Sequence, residues 1–221
     1  MPANKLKDAF PAPPSQEKVN KFVMAAKDGK FKTVNALLAK YPGIIDLKAT
    51  DIDGVFWSDT ALYGAAYWGP KEMVELLLSK GASTEIKDPI GHTPLLGAAR
   101  LGRTDIVVLL LKNGAAINAK SNYNETPLIA ATIDGHMDTI QLLLENGASI
   151  HDRNGGGLTA VDVARKNGYS EAVDLIEQWP TLTQQQKDEL KKLAHPEIPA
   201  GRLEKLKSQR PKQSPFKKNQ P

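Results

Sequence analysis

Residues 91–102 read GHTPLLGAARLG. Thr93 is placed to accept a hydrogen bond from the free amides of a helix start, Pro94 suits the first helical position because it has no amide to leave unpaired, and Gly102 can take the left-handed conformation that ends a helix. The stretch therefore predicts one short helix marked at both ends. Leu95 and Leu96 supply apolar surface, whereas Gly97, Ala98 and Ala99 leave little protruding. A helix with so small a face has to lie close against a neighbour.

The neighbour is a copy of the same pattern. Thr60, Thr93, Thr126 and Thr159 stand 33 residues apart, and so do Gly69, Gly102, Gly135 and Gly168. After each of the first three glycines comes a second apolar run, EMVELLLSKGAS, DIVVLLLKNGAA and DTIQLLLENGAS, closed by Gly81, Gly114 and Gly147. A fixed period of this length is the mark of a repeat array, in which each unit is a helix pair that buries its apolar face against the next. The chain resembles the ankyrin repeat family, whose pattern of G-x-TPL, an alanine pair, glycine, an LLL helix and GA is matched by residues 91–118 and 124–151. That resemblance covers about three quarters of the chain. It implies an all-α solenoid of about five helix-turn-helix repeats with short hairpin fingers. Where the family usually reads TPLH, this chain has Tyr63, Leu96, Ile129 and Asp162 in place of the histidine. Apolar contact is expected to replace the customary histidine bonds.

The array is irregular at both ends. In the first repeat, FVMAAKDGKFKTVNALLAK, Gly29 lies 40 residues before Gly69, so seven extra residues enlarge the connection YPGIIDLKATDIDGVFWSD. The last repeat, TAVDVARKNGYSEAVDLIEQW, carries Arg165 in place of the second alanine of the pair and Glu177 in place of the third leucine of the run, as suits a terminal unit facing water. The expected organisation is a proline-rich lead-in over 1–15 whose Ser15 could cap the first helix, repeats over 16–180, an accessory helix over 181–196 capped by Thr183, and a basic tail over 197–221. Residues 202–221 hold seven Lys/Arg and only Glu204, a charge of +6; with +4 on the whole chain, residues 1–201 carry −2.

These features bound the chemistry. The chain has no cysteine, which removes disulfides and thiol chemistry. His92, His136, His151 and His195 are spread along the array without the spacing of a metal site, and no phosphate-cradling glycine loop or serine elbow is present. No catalytic residue, cofactor or metal is expected. No run reaches the roughly 20 apolar residues of a membrane span and the N-terminus lacks a signal-peptide core, so a cytoplasmic, monomeric protein is expected, with a secreted bacterial effector also compatible.

What remains is recognition. Residues beside the helix-opening threonine and before the closing glycine project toward the concave side: Phe56, Trp57, Asp59, Tyr67 and Trp68, then Pro89, Ile90, His92, Arg100 and Leu101, then Asn122, Tyr123, Glu125, Ile133 and Asp134. Large side chains there are typical interface anchors. Phe56, Trp57, Tyr67, Trp68, Ile90, Arg100, Leu101, Tyr123 and Ile133 are the candidate partner-binding residues, with Phe56 and Trp57 equally suited to packing the enlarged finger. A protein partner is the expected ligand. The alternative is attachment of the basic tail to nucleic acid or an anionic membrane surface.

Overall fold

The computed structural model describes residues 13–50 and 59–188. Within residues 1–182, the described portion holds five helix pairs: α1 (Gln16–Lys27) with α2 (Phe31–Lys40), α3 (Ala61–Trp68) with α4 (Lys71–Ser79), α5 (Pro94–Arg100) with α6 (Thr104–Lys112), α7 (Pro127–Ile133) with α8 (Met137–Glu145), and α9 (Ala160–Asn167) with α10 (Ser170–Gln178). A single 3₁₀ turn, Pro42–Ile44, follows α2. A second unit begins at Thr183, whose Oγ1 accepts a hydrogen bond from the Gln186 amide at the start of helical residues 184–188. The remainder of the accessory helix, most of the lead-in and the basic tail lie outside the described residues, as do Phe56 and Trp57. Among the described residues no helix is long and apolar enough to cross a membrane.

The repeating threonines act as helix caps. Oγ1 of Thr60 accepts from the Tyr63 amide at 3.2 Å, and Oγ1 of Thr93, Thr126 and Thr159 accept from Leu96, Ile129 and Asp162 at 3.3 Å each. Asp162, at the position of the family's histidine, returns a bond to the Thr159 amide and completes a capping box. Ser15 stands at the cap position of α1 but its side chain makes no cap bond, which differs from the expectation.

The first helices of the pairs form one layer, α1, α3, α5, α7 and α9 packing in succession, while α4, α6, α8 and α10 form a second. Ala65, Ala66, Ala98, Ala99, Ala130 and Ala131 are fully buried, so the small faces let neighbouring backbones close up. Leu62, Leu95 and Leu128 fill the space between the layers against Leu77, Leu110 and Leu143, also fully buried. Each such side chain contributes about 1.5–3 kcal/mol by leaving water. Leu96 and Ile129 are fully buried, so at two of the four histidine positions apolar contact does replace hydrogen bonding, whereas the buried Tyr63 sets its hydroxyl beside the Asp88 carboxylate of the next finger. At the far end, Arg165 and Glu177 pair with each other across the terminal repeat.

Successive repeats are also latched by one recurring position. Pro70, Arg103, His136 and Tyr169, each 33 residues apart, precede the second helix of their pair and reach back to the end of the preceding first helix. Arg103 donates from Nη1 to the carbonyls of Ala65 and Ala66 at 3.1 and 2.9 Å and from Nη2 to that of Gly69 at 2.6 Å. His136 Nε2 lies 3.0 Å from the Arg100 carbonyl, and its ring rests on Gly102. The periodic glycines thus answer to two causes. Gly102 is left-handed at φ +64° and also has to leave room for the His136 ring. Gly69, by contrast, has φ −83°, and is glycine because an added Cβ would stand 2.9 Å from Ala65 Cα and 3.0 Å from the Ala26 carbonyl oxygen. Gly102→Ala should therefore destabilise by about 2 kcal/mol through combined strain and overpacking. Thermal melting of Gly102→Ala and of Gly102→Ala/His136→Ala checks this, since relieving the clash should leave the double variant with less than the sum of the two single losses.

The fingers are built on the same period. Asp88 Oδ1 accepts from the amides of Ile90 and His92 at 3.0 and 2.7 Å, Ser121 Oγ from those of Tyr123 and Glu125 at 3.1 and 3.2 Å, and Asn154 Oδ1 from those of Gly156 and Leu158 at 3.0 Å each. These are side-chain turns that hold each tip. The tips are then tied together, with the Asn122 amide donating to the Ile90 carbonyl at 3.0 Å and the Gly155 amide to the Tyr123 carbonyl at 2.6 Å.

Candidate binding groove

The fingers and the ends of the first helices enclose an open groove of about 520 Å³. One wall comes from α3. The ring of Tyr63 stacks on Tyr67 with centroids 5.9 Å apart, and Tyr67 meets Trp68 edge-on at 4.5 Å. Gly97 on α5 gives these rings their place, because an added Cβ would stand 3.1 Å from Tyr67 Cδ2. Pro89 and Ile90 of one finger and Tyr123 of the next also line the groove. Trp68 is 52% exposed, Ile90 44% and Tyr123 60%. Large apolar side chains at such exposure, one at the end of α3 and two on tips fixed by hydrogen bonds, mark a surface available for contact.

The floor is charged. Glu125 Oε2 lies 3.3 Å from Arg100 Nη1 and 3.6 Å from His92 Nε2, while His92 Nδ1 is 3.8 Å from Asp88 Oδ2. The His92 contact first, with the Arg100 charge adding to it, holds the Glu125 carboxyl below its usual range. Asp59 has the reverse balance. It is 6% exposed, and among the described residues its backbone carbonyl accepts from the Ala49 amide while its carboxylate is acted on by burial and by charges alone. Burial, and then the charge of Asp88, push it up to about 6 against the opposing pull of Lys27 and Lys48. The Tyr63 hydroxyl is likewise pushed up, chiefly by burial and then by the Asp88 carboxylate beside it. Among the described residues no group of His, Asp or Glu is arranged to hold a metal ion.

The chain carries two matches to known family models. Residues 22–121 match the one described as ankyrin repeats in three copies, and residues 129–176 match the one described as ankyrin repeats in many copies. The chain belongs to the ankyrin repeat family. Among curated proteins, none matches it. Ankyrin repeats generally serve as protein–protein interaction modules, and ankyrin repeat proteins are typically non-enzymatic.

Of the residues singled out from the sequence of this ankyrin repeat protein, Tyr67, Trp68, Ile90, Arg100 and Tyr123 line the one groove. Leu101 is exposed at the end of α5 but outside the lining, and Ile133 is half-buried against the core. Tyr63 and Asp88 also line the groove and are not among the candidate partner-binding residues. Tyr63 stands at the usual histidine position, where a packing role was expected, and Asp88 lies one residue before the finger segment that was considered. Asp59, His92 and Glu125 fell at projecting positions, but only the spatial approach of three fingers shows that their charges meet. The signal that could have found them is the acidic excess of Asp59, Asp88 and Glu125 over Arg100 along these connections and helix ends.

Proposed function

We propose that this ankyrin repeat protein binds a protein partner through the groove that α3 forms with the fingers carrying Asp88–His92 and Tyr123–Glu125, without catalysing a reaction. The observation that carries this reading is the set of exposed Trp68, Ile90 and Tyr123 around one concavity, the last two on backbone that is already hydrogen-bonded finger to finger. A pre-formed apolar rim over a partly polar floor suits a segment that lies across the fingers and sends side chains inward. An interface of about 800 Å² per partner would extend beyond the groove along the neighbouring fingers.

The partner is identified by photo-crosslinking from p-benzoylphenylalanine placed at position 123, on the exposed rim. Against that partner, Trp68→Ala should weaken binding about thirtyfold, equivalent to about 2 kcal/mol, with melting little changed. Leu77→Ala, whose side chain is fully buried, should instead lower stability by at least about 2 kcal/mol. A Trp68→Ala protein that melts like Leu77→Ala yet binds as wild type per folded molecule would remove Trp68 from the binding surface.

A further inference from the structure

We infer that the groove receives the lysine or arginine side chain of a protein segment, its aliphatic stem against the Tyr67 and Trp68 rings and its charged head against Asp59 and Asp88. This rests on the groove being the docking surface and adds what the partner has to present there.

The floor carries three carboxylates, and they are not equally satisfied. Glu125 is paired with Arg100. Asp88 has Oδ1 taken up by two finger amides and Oδ2 3.8 Å from His92, with the Tyr63 hydroxyl beside the carboxylate. Asp59 lines the groove, is more than nine-tenths buried, and its carboxylate is acted on among the described residues by burial and by charges alone. A buried carboxylate without a partner is unfavourable unless a cation reaches it. An acidic side chain would meet the Asp59 and Asp88 carboxylates, and an apolar one would dehydrate Asp59 further without supplying an opposite charge. A cationic side chain relieves the burial and the Asp88 repulsion together.

The aromatic wall points to the same chemistry. An ammonium or guanidinium is attracted to the face of an electron-rich ring, and the long apolar stems of lysine and arginine suit ring surfaces. The chain itself seats one ammonium in this way, Lys27 Nζ lying 5.3 Å from the Trp68 centroid. Asp59, ionised only in part near its raised pKa of about 6, would become fully ionised when a cation docks. Binding should then strengthen as pH rises through that value.

The test uses the full-length protein and synthetic nonapeptides with randomised flanks and a fixed central lysine, arginine, norleucine or glutamate. At about pH 7.5 the lysine and arginine sets should bind at least tenfold more tightly than the norleucine set, and Asp59→Asn should abolish that preference without lowering the melting temperature. From pH 7 to pH 5 the wild type should lose about tenfold in affinity for the lysine set, as Asp59 takes up its proton. Asp88, Tyr63, Lys27 and Lys48 act on Asp59, and His92 faces Asp88 and Glu125, so the Asp59→Asn protein provides the reference from which their own titration is subtracted. Norleucine bound as tightly as lysine, with loss on Trp68→Ala, would overturn the cationic inference and leave the groove as a docking surface. Preference for glutamate, or no binding by any set, would also overturn it, and the crosslinked partner then judges the groove separately.

Discussion

Arg103→Ala should lower stability by about 3 kcal/mol and the melting temperature by roughly 6–12 °C. One guanidinium closes the C-terminal end of α3 by donating to three carbonyls that belong to a different repeat. Hydrogen bonds to a charged donor exceed neutral ones, and truncation leaves carbonyls at a partly buried helix end without that donor. Burial lowers the Arg103 pKa, yet the group remains protonated at any ordinary pH, so the latch is insensitive to acidity. Arg103→Lys should recover less than half of the loss, because a single ammonium cannot reproduce the planar fork that spans Ala65, Ala66 and Gly69. Stability in a repeat array is close to a sum of units and nearest-neighbour interfaces. The damage should therefore concentrate between the second and third repeats and broaden the unfolding transition. Calorimetry of the two variants checks both points, and a loss below about 1 kcal/mol for Arg103→Ala would show that the contact is incidental.

Asp59→Asn should act in the opposite direction, stabilising the protein at pH 7.5 by about 2 kcal/mol. A carboxyl moved from 3.8 to about 6 corresponds to roughly 3 kcal/mol of differential interaction, reduced here by screening at the open groove. Between those two values the folded protein holds a proton that the unfolded chain has released. Stability accordingly falls as pH rises from about 4 to about 6, and the full penalty persists above that. Below about pH 4 both states are protonated and the advantage of asparagine should vanish. Denaturation curves of both proteins at pH 4, 6 and 7.5 measure it. Equal stability at all three would mean that Asp59 is not penalised by its site. A residue that weakens the fold at neutral pH while lining a groove is what a binding site retained against stability looks like.

The array was legible because its signals are local. A threonine cap, an alanine pair and a glycine act within one helix, and their period survives any uncertainty about how repeats touch. The latch was not legible, since Arg103, His136 and Tyr169 share a position but differ in chemistry, and the carbonyls Arg103 meets lie 34 to 38 residues earlier. For the same reason Gly69 resembled the other glycines in sequence while answering to crowding instead of handedness. In the groove, Tyr67 and Trp68 stood out because they are larger than stacking requires at the end of a helix of small residues. The environment of Asp59 could not be read, because its pKa depends on burial and on Asp88 of another finger.

For a partner docking in the groove as proposed, the bonds between fingertips bear on the rate at which it would be held and released. Because the Ile90 and Tyr123 carbonyls are already engaged by the Asn122 and Gly155 amides, the backbone that displays those two side chains is ordered before any encounter. Little conformational entropy is left to lose on association, and no rearrangement of the main chain has to precede it. Under the proposed docking in the groove, capture would then proceed at a pace set by diffusion and orientation. Changes in the side chains of the groove should show themselves in how long the complex lasts, through the dissociation rate, far more than in how fast it forms.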